Sequence, residues 1–346
     1  MAASINNPAW MDWIAGVMEG TPRQAYASAF PPDRFYCILD ELPLHLIPQC
    51  RIGSELDGGN REPLFLNPDC IICDDGELPE ALASQRKLLS GFALQGSMVW
   101  VPDASGGLLP FWLGPRIEDF VRGLRVGEPV APDLHSKTPS FLHRAGILLS
   151  EGDRARTMRR RNEAVARAAE AFRKRGYAPL ANLIHPFHVA VLRRYYRYLI
   201  RSGAIRLGDG QSPRRYVAHN EPVARFFHHQ ICATLSAVAG EPLQPSYVYL
   251  ASYLSGAELK KHTDREQCEF SVTLCLDFSP EPARETPWPI LLETPSGTAT
   301  VYQAIGDGLA YRGARLPHYR DALGEGQTST SIFFHYVPTG FSGSLD

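Results

Sequence analysis

After Pro245 the chain consists of six short β-prone runs, YVYLASYL, FSVTLCLDF, WPILLE, TATVYQ, GLAYRG and TSTSIFFHYV, punctuated by glycine and proline turns. Segments this rich in aromatic and β-branched residues place alternate side chains on opposite faces of a pleat, and their backbone groups need partner strands. Six of them at close spacing confine the architecture to a β-sandwich or barrel.

Helices precede these strands. Within 152–175, Val165, Ala169 and Phe172 share one face at helical spacing, and Gly176 is placed to end the helix. GYAPLANLI reads as a short strand, followed by a helix over 186–202 that Gly203 stops. A third helix takes Asn220 as its N-cap, carries Pro222 in its first turn and ends at Gly240. Its apolar stripe, Val223, Phe227, Ile231 and Leu235, makes His228 and His229 packing or surface residues. The pattern is α+β, with helices supporting the strands. Residues 1–145 are rich in proline and glycine, with short apolar runs such as FYCILDELPLHLI and SMVWVPD. They read as an N-terminal mixed α/β extension of unassigned topology. GEPVAPDLHSKTPS marks a linker or long loop, so the expected division is an accessory region over 1–145 and the main domain over 146–346.

Composition sets the outer limits. Of 346 residues, 44% are apolar and 21% charged, the balance of a soluble globular chain with ample core. A formal charge of −2 gives no electrostatic invitation to nucleic acid or an acidic membrane. Arg159, Arg160 and Arg161 look like a nucleic-acid patch, but the interleaved Glu151, Asp153, Glu163 and Glu170 make that helix a solvated face. No apolar run approaches the ~20 residues of a membrane span. MAASINNPAWMDWIAGVMEG lacks the basic and apolar regions of an export signal. Seven cysteines without framework spacing fit free thiols in the cytoplasm. Cys70 and Cys73 form a CxxC, with His45 and Cys50 upstream as further zinc-capable groups. However, LFLNPDCIICDD reads as a strand ending in a turn, where positions three apart point to opposite faces, so two buried thiols are expected.

The segment KKHTDREQCEF crowds a histidine, a carboxylate and an arginine just ahead of an apolar run. On an extended backbone, His262 and Asp264 face the same side and offer one imidazole and one carboxylate to a metal. A third ligand candidate is His318, in GDGLAYRGARLPHYRDAL, just after a predicted strand. Two histidines and one carboxylate leave the remaining positions of an iron open, whereas a structural zinc site closes its shell.

The surrounding residues narrow this further. YLSGAELKKHTD fits Y-x-x-G-x-x-x-x-x-H-x-D through Tyr253, Gly256, His262 and Asp264, and GDGLAYRG followed by LPH fits the glycine turn, apolar strand and ligand histidine that close such a site. Over roughly 176–337 the chain resembles the Fe(II)/2-oxoglutarate-dependent dioxygenases, particularly their prolyl-4-hydroxylase-like branch. The resemblance implies a double-stranded β-helix, a jelly-roll or cupin-like barrel of two facing sheets, with Fe(II) held by His262, Asp264 and His318. It implies 2-oxoglutarate as co-substrate and O2 as oxidant, with Tyr253 touching the co-substrate's distal carboxylate. The chain departs from the family where an Arg or Lys usually follows the distal histidine. GQTSTSI has no basic residue; Ser329 stands in that place, and Ser331 supplies a hydroxyl two residues later. A dicarboxylate in a partly dry pocket still needs a cation. Arg320 shares the inward parity of His318 and is the first candidate, followed by Arg265, Arg312 and Arg315.

The activity this implies is hydroxylation of an unactivated C–H, with release of succinate and CO2, on an amino-acid- or peptide-derived substrate in natural-product tailoring. A small molecule or peptide is the expected partner. The carboxylate of Asp264 leaves no ligand position for chloride, which disfavours halogenation. Glu269, Gln267 and Trp288 flank the predicted mouth, Tyr247 and Tyr249 alternate on the strand leading in, and His335 reads as a packed core residue. Two rivals use the same residues: a β-helix module that binds a peptide or protein without turnover, and a zinc-dependent hydrolase with Glu269 as base.

Overall fold

The computed structural model describes residues 30–47, 62–130 and 138–346. Cys50 and the segment compared with an export signal lie outside these residues. The N-terminal part contains β1 (Leu64–Leu66), β2 (Ile71–Cys73), α1 (Glu80–Ala83), β3 (Met98–Pro102), β4 (Leu108–Trp112), α2 (Pro115–Arg122), α3 (Thr138–Arg144) and β5 (Leu148–Ser150). Strands β2, β3 and β4 form an antiparallel sheet in that order, and β1 pairs with β5. LFLNPDCIICDD is therefore two strands in two sheets, not one. Pro68 and the turn closed by the Cys70 N–H on the Asn67 carbonyl break the run between them.

The expected helices follow as α4 (Asp153–Arg175), α5 (Pro186–Arg201) and α6 (Pro222–Ala239), with β6 (Tyr177–Leu180), β7 (Arg206–Leu207) and β8 (Arg215–His219) between them. Gly176 ends α4 in the left-handed region, its N–H on the Phe172 carbonyl. The cap of α6 is Glu221 and not Asn220, because Pro222 occupies the first helical position. The Glu221 carboxylate accepts from the Ala224 N–H at 2.9 Å, while Asn220 turns the chain at φ 51°.

The remaining strands are β9 (Leu243–Tyr253), β10 (Leu259–His262), β11 (Phe270–Ser279), β12 (Ile290–Thr294), β13 (Gly297–Val301), β14 (Gly308–Tyr311), β15 (His318–Arg320) and β16 (Thr328–Pro338). They build an antiparallel seven-stranded sheet, β6-β14-β11-β16-β9-β8-β7, and a four-stranded sheet, β10-β15-β12-β13. Period-two alternation separates two faces of the large sheet. Val248, Leu250, Val272, Leu274, Ile332 and Phe334 are buried, and this face meets the helices, as in the Phe172–Phe270 and His228–Phe334 ring contacts. The other face carries Tyr253, Ser271, Thr273, Tyr311, Ser329, Ser331 and His335, all buried, and meets the small sheet through Tyr311 against His318 at 4.8 Å. Polar groups buried at every second position of otherwise apolar strands mark this interior as more than a packing surface.

A register shift between Cys275 and Asp277 turns Asp277 to the helix side. There it meets Arg193 and Arg197 of α5; Arg193 is 0% exposed and also donates to Glu281 and to the Leu46 carbonyl. This cluster ties the N-terminal part to the large sheet, and Phe35 ties it to α5 and α6, its ring 6.2 Å from Tyr195 and 5.8 Å from Phe227. One apolar core thus runs across the expected boundary near residue 145. Replacing Arg193 by Met leaves the buried Asp277 with Arg197 alone and takes a guanidinium partner from the half-buried Glu281, and a loss of about 3 kcal/mol of stability is expected in urea denaturation. An unchanged midpoint would show that Arg197 alone neutralises Asp277.

Candidate metal centre

His262 ends β10 and His318 begins β15, and the two are direct cross-strand partners with ring centroids 4.4 Å apart. Asp264 lies two residues past the end of β10, held by its backbone N–H on the Gly313 carbonyl at 2.9 Å. A Cβ at Gly313 would collide with Asp264 Oδ2 and Ser271 Oγ, so glycine is what permits this approach. Each histidine directs Nδ1 to the carbonyl two residues earlier, His262 to Lys260 at 2.7 Å and His318 to Leu316 at 3.0 Å. A carbonyl only accepts, so Nδ1 carries the proton and Nε2 presents its lone pair. Both Nε2 atoms lie 3.6 Å from Asp264 Oδ1. One divalent ion with bonds of ~2.0–2.2 Å spans such a gap.

The charges suit a cation. Burial raises the pKa of Asp264, but the neighbouring His262, His335 and His318 and the Ser271 hydroxyl outweigh it and bring it to about 2. The Asp264 carboxylate beside it raises His262 against partial burial, whereas burial lowers the deeper His318. Asp264 Oδ2 accepts from Ser271 Oγ at 2.8 Å, which leaves Oδ1 facing the histidines. Ser271→Ala frees the carboxylate to rotate, and divalent-metal affinity is expected to fall ~10–100-fold in a chelator competition. Unchanged affinity would mean that the backbone alone orients Asp264.

The three side chains line a cavity of about 350 Å³ together with Tyr247, Tyr249, Tyr253, Tyr311, Phe333 and His335. Asp209 and Arg215 close one side, paired at 2.5 Å, with the Tyr249 hydroxyl donating to Asp209 at 2.6 Å. Arg320 shares the inward face of β15 with His318 and is 4% exposed. Its guanidinium stacks 4.7 Å from the Trp288 ring, and it donates to the Trp288 carbonyl and to Gln303 Oε1. Its Nε has no partner, and among the described residues no carboxylate pairs with it. Tyr253 packs on the same indole at 5.0 Å. Ser329 is the direct cross-strand partner of Tyr253, and Ser331 that of Ala251.

The other expected residues fall elsewhere. Arg312 lies over Phe172 and Phe270 on the helix side, Arg315 forms an exposed ion pair with Glu269 at 3.3 Å, and Arg265 is an exposed residue at the rim, donating to the Tyr247 hydroxyl at 3.1 Å. Glu269 is thus engaged with Arg315 and not with the triad. Among the described residues, neither Cys70 nor Cys73 joins a metal-capable cluster; burial pushes the Cys70 thiol up to about 12. Arg215, Asp209, Ser271 and Tyr311 carried no motif in the sequence. A visible signal for Ser271 and Thr273 was polar residues at alternate positions of FSVTLCLDF.

No family model and no curated protein matches the sequence. Solved structures similar to the chain include a Pseudomonas putida prolyl-4-hydroxylase, 14% identical, covering 51% of this chain and 100% of that one at a TM-score of 0.42. AviO1 from Streptomyces viridochromogenes Tue57 is 19% identical, with 52% and 97% covered and a TM-score of 0.43. The non-heme alpha-ketoglutarate-dependent epimerase SnoN from nogalamycin biosynthesis is 17% identical, with 52% and 88% covered and a TM-score of 0.43. Likenesses this partial assign no activity to this chain, whose chemistry rests on its own residues.

Proposed function

We propose that the chain is an Fe(II)- and 2-oxoglutarate-dependent oxygenase on a double-stranded β-helix. The observation that carries this is the convergence of His262 Nε2, His318 Nε2 and Asp264 Oδ1 at the wall of a cavity. Among the described residues no fourth His, Cys, Asp or Glu joins them. This donor set fits Fe(II) and leaves coordination positions open. When bound there, iron with 2-oxoglutarate supplies O2 activation and C–H oxidation, releasing succinate and CO2.

The chain's own groups do the rest. His262, Asp264 and His318 hold the metal, and their backbone and Ser271 partners fix their orientation. Arg320 receives the distal carboxylate of 2-oxoglutarate, helped by the hydroxyls of Tyr253, Ser329 and Ser331. A buried guanidinium with an unpartnered Nε and no carboxylate beside it is costly without an anionic guest. Gln303 and Trp288 hold that guanidinium in place. The substrate enters by the mouth bounded by Asp209, Arg215, His219 and Arg265. We assign it to small amino-acid- or peptide-derived molecules, with residues 1–145 as the accessory region of a cytoplasmic enzyme.

Calorimetry of the Mn(II)-loaded chain tests this reading. One equivalent of 2-oxoglutarate should bind, and none without metal. A zinc hydrolase or a metal-independent binding module would show no metal-dependent 2-oxoglutarate binding, and that result would overturn the proposal.

A further inference from the structure

His335 is 6% exposed, yet it lines the cavity instead of filling the core. Its Nδ1 lies 2.9 Å from Ser271 Oγ, which lies 2.8 Å from Asp264 Oδ2 and 3.3 Å from the Cys268 carbonyl. One hydroxyl proton serves this junction. The carboxylate and the carbonyl only accept, and Asp264 is the nearer, so the serine donates to Asp264. His335 Nδ1 then donates to the serine, and in the neutral ring Nε2 holds a lone pair. Among the described residues, no group donates to that nitrogen. The chain of hydrogen bonds fixes the ring, and the Tyr247 ring packs against it at 4.7 Å. His219 continues the wall at 5.1 Å from Tyr247 and 6.2 Å from Tyr249.

We infer that His335 is a substrate-binding residue whose Nε2 accepts a hydrogen bond from a hydroxyl or N–H of a small cyclic substrate lying on the Tyr247 and Tyr249 wall. A fixed acceptor set in an aromatic wall favours a ring that carries a donor, because a ring without one leaves that nitrogen unpaired. Aromatic faces supply the contact area for the ring, and the single polar group sets its orientation. The inference rests on the oxygenase proposal only in calling the occupant a substrate; the acceptor itself is a property of the cavity.

The test uses the full chain without iron or 2-oxoglutarate, so its outcome is separate from that of the oxygenase proposal. The probes are phenol and anisole, which share a ring and differ in the donor. In ¹⁵N spectra of the histidine side chains, His335 should carry its proton on Nδ1 before any probe is added. Phenol should shift the Nε2 resonance and bind about fivefold more tightly than anisole. His335→Phe should abolish that preference while anisole binding persists. His335→Gln, which returns an amide oxygen to the region, should restore part of it. A proton found on Nε2 in the free chain would overturn the inference without any variant. Absence of phenol binding, equal binding of the two probes, or a preference that survives in His335→Phe would overturn it too.

Discussion

Replacing His318 by alanine is expected to abolish metal retention and turnover together. His318 is the most deeply buried of the three ligand candidates, and the Leu316 carbonyl fixes its Nε2 toward Asp264. The variant leaves one imidazole and one carboxylate on a labile divalent ion. Loss of an orienting partner alone weakens such sites ~10–100-fold, so loss of a ligand should exceed about a hundredfold. The cross-strand pairing of β10 with β15 is a backbone interaction and survives the change. Metal content after gel filtration, read beside the far-ultraviolet circular dichroism, separates ligand loss from unfolding. A folded His318→Ala chain that keeps stoichiometric iron would remove His318 from the site.

Arg320→Ala is expected to raise the 2-oxoglutarate requirement roughly ten- to a hundredfold while metal affinity stays nearly constant. A charge-assisted hydrogen bond to a carboxylate contributes ~1.5–3 kcal/mol, which sets that range. The effect should be selective because Arg320 lies two residues beyond His318 and donates to the Trp288 carbonyl and Gln303, not to a metal ligand. Arg320→Lys should recover only part, since an ammonium does not reproduce the planar guanidinium fork. Titration of the Mn(II)-loaded variants with 2-oxoglutarate, followed by thermal shift, reads the change. If neither variant moves the half-saturation point, the anion is held by Arg215, the other buried guanidinium near Tyr253.

What the sequence made legible is what local periodicity controls. The six runs after Pro245 became strands because their period of two is intrinsic to each segment, and the same parity places Arg320 on the inward face with His318. The helices were equally readable from their stripes and terminal glycines. Long-range contacts were not. The shift that turns Asp277 toward Arg193 depends on the pairing of β11 with β16, and no residue near Asp277 announces it. Arg215 gains its place from Asp209, 6 residues earlier, which is itself held by the Tyr249 hydroxyl 40 residues further on. His335 looked like any histidine in an apolar strand; only Ser271, 64 residues earlier, reveals which nitrogen is free. The N-cap of α6 moved one residue for a local reason, the proline at its first position.

Succinate formation by the purified full chain is the most direct measurement. The reaction is assembled with Fe(II), 2-oxoglutarate and O2, and then with each omitted in turn, for the wild type and His318→Ala. An oxygenase forms succinate only when all three are present, and not at all in the variant. No succinate from an iron-loaded wild-type chain, or equal succinate from His318→Ala, would contradict the proposed function.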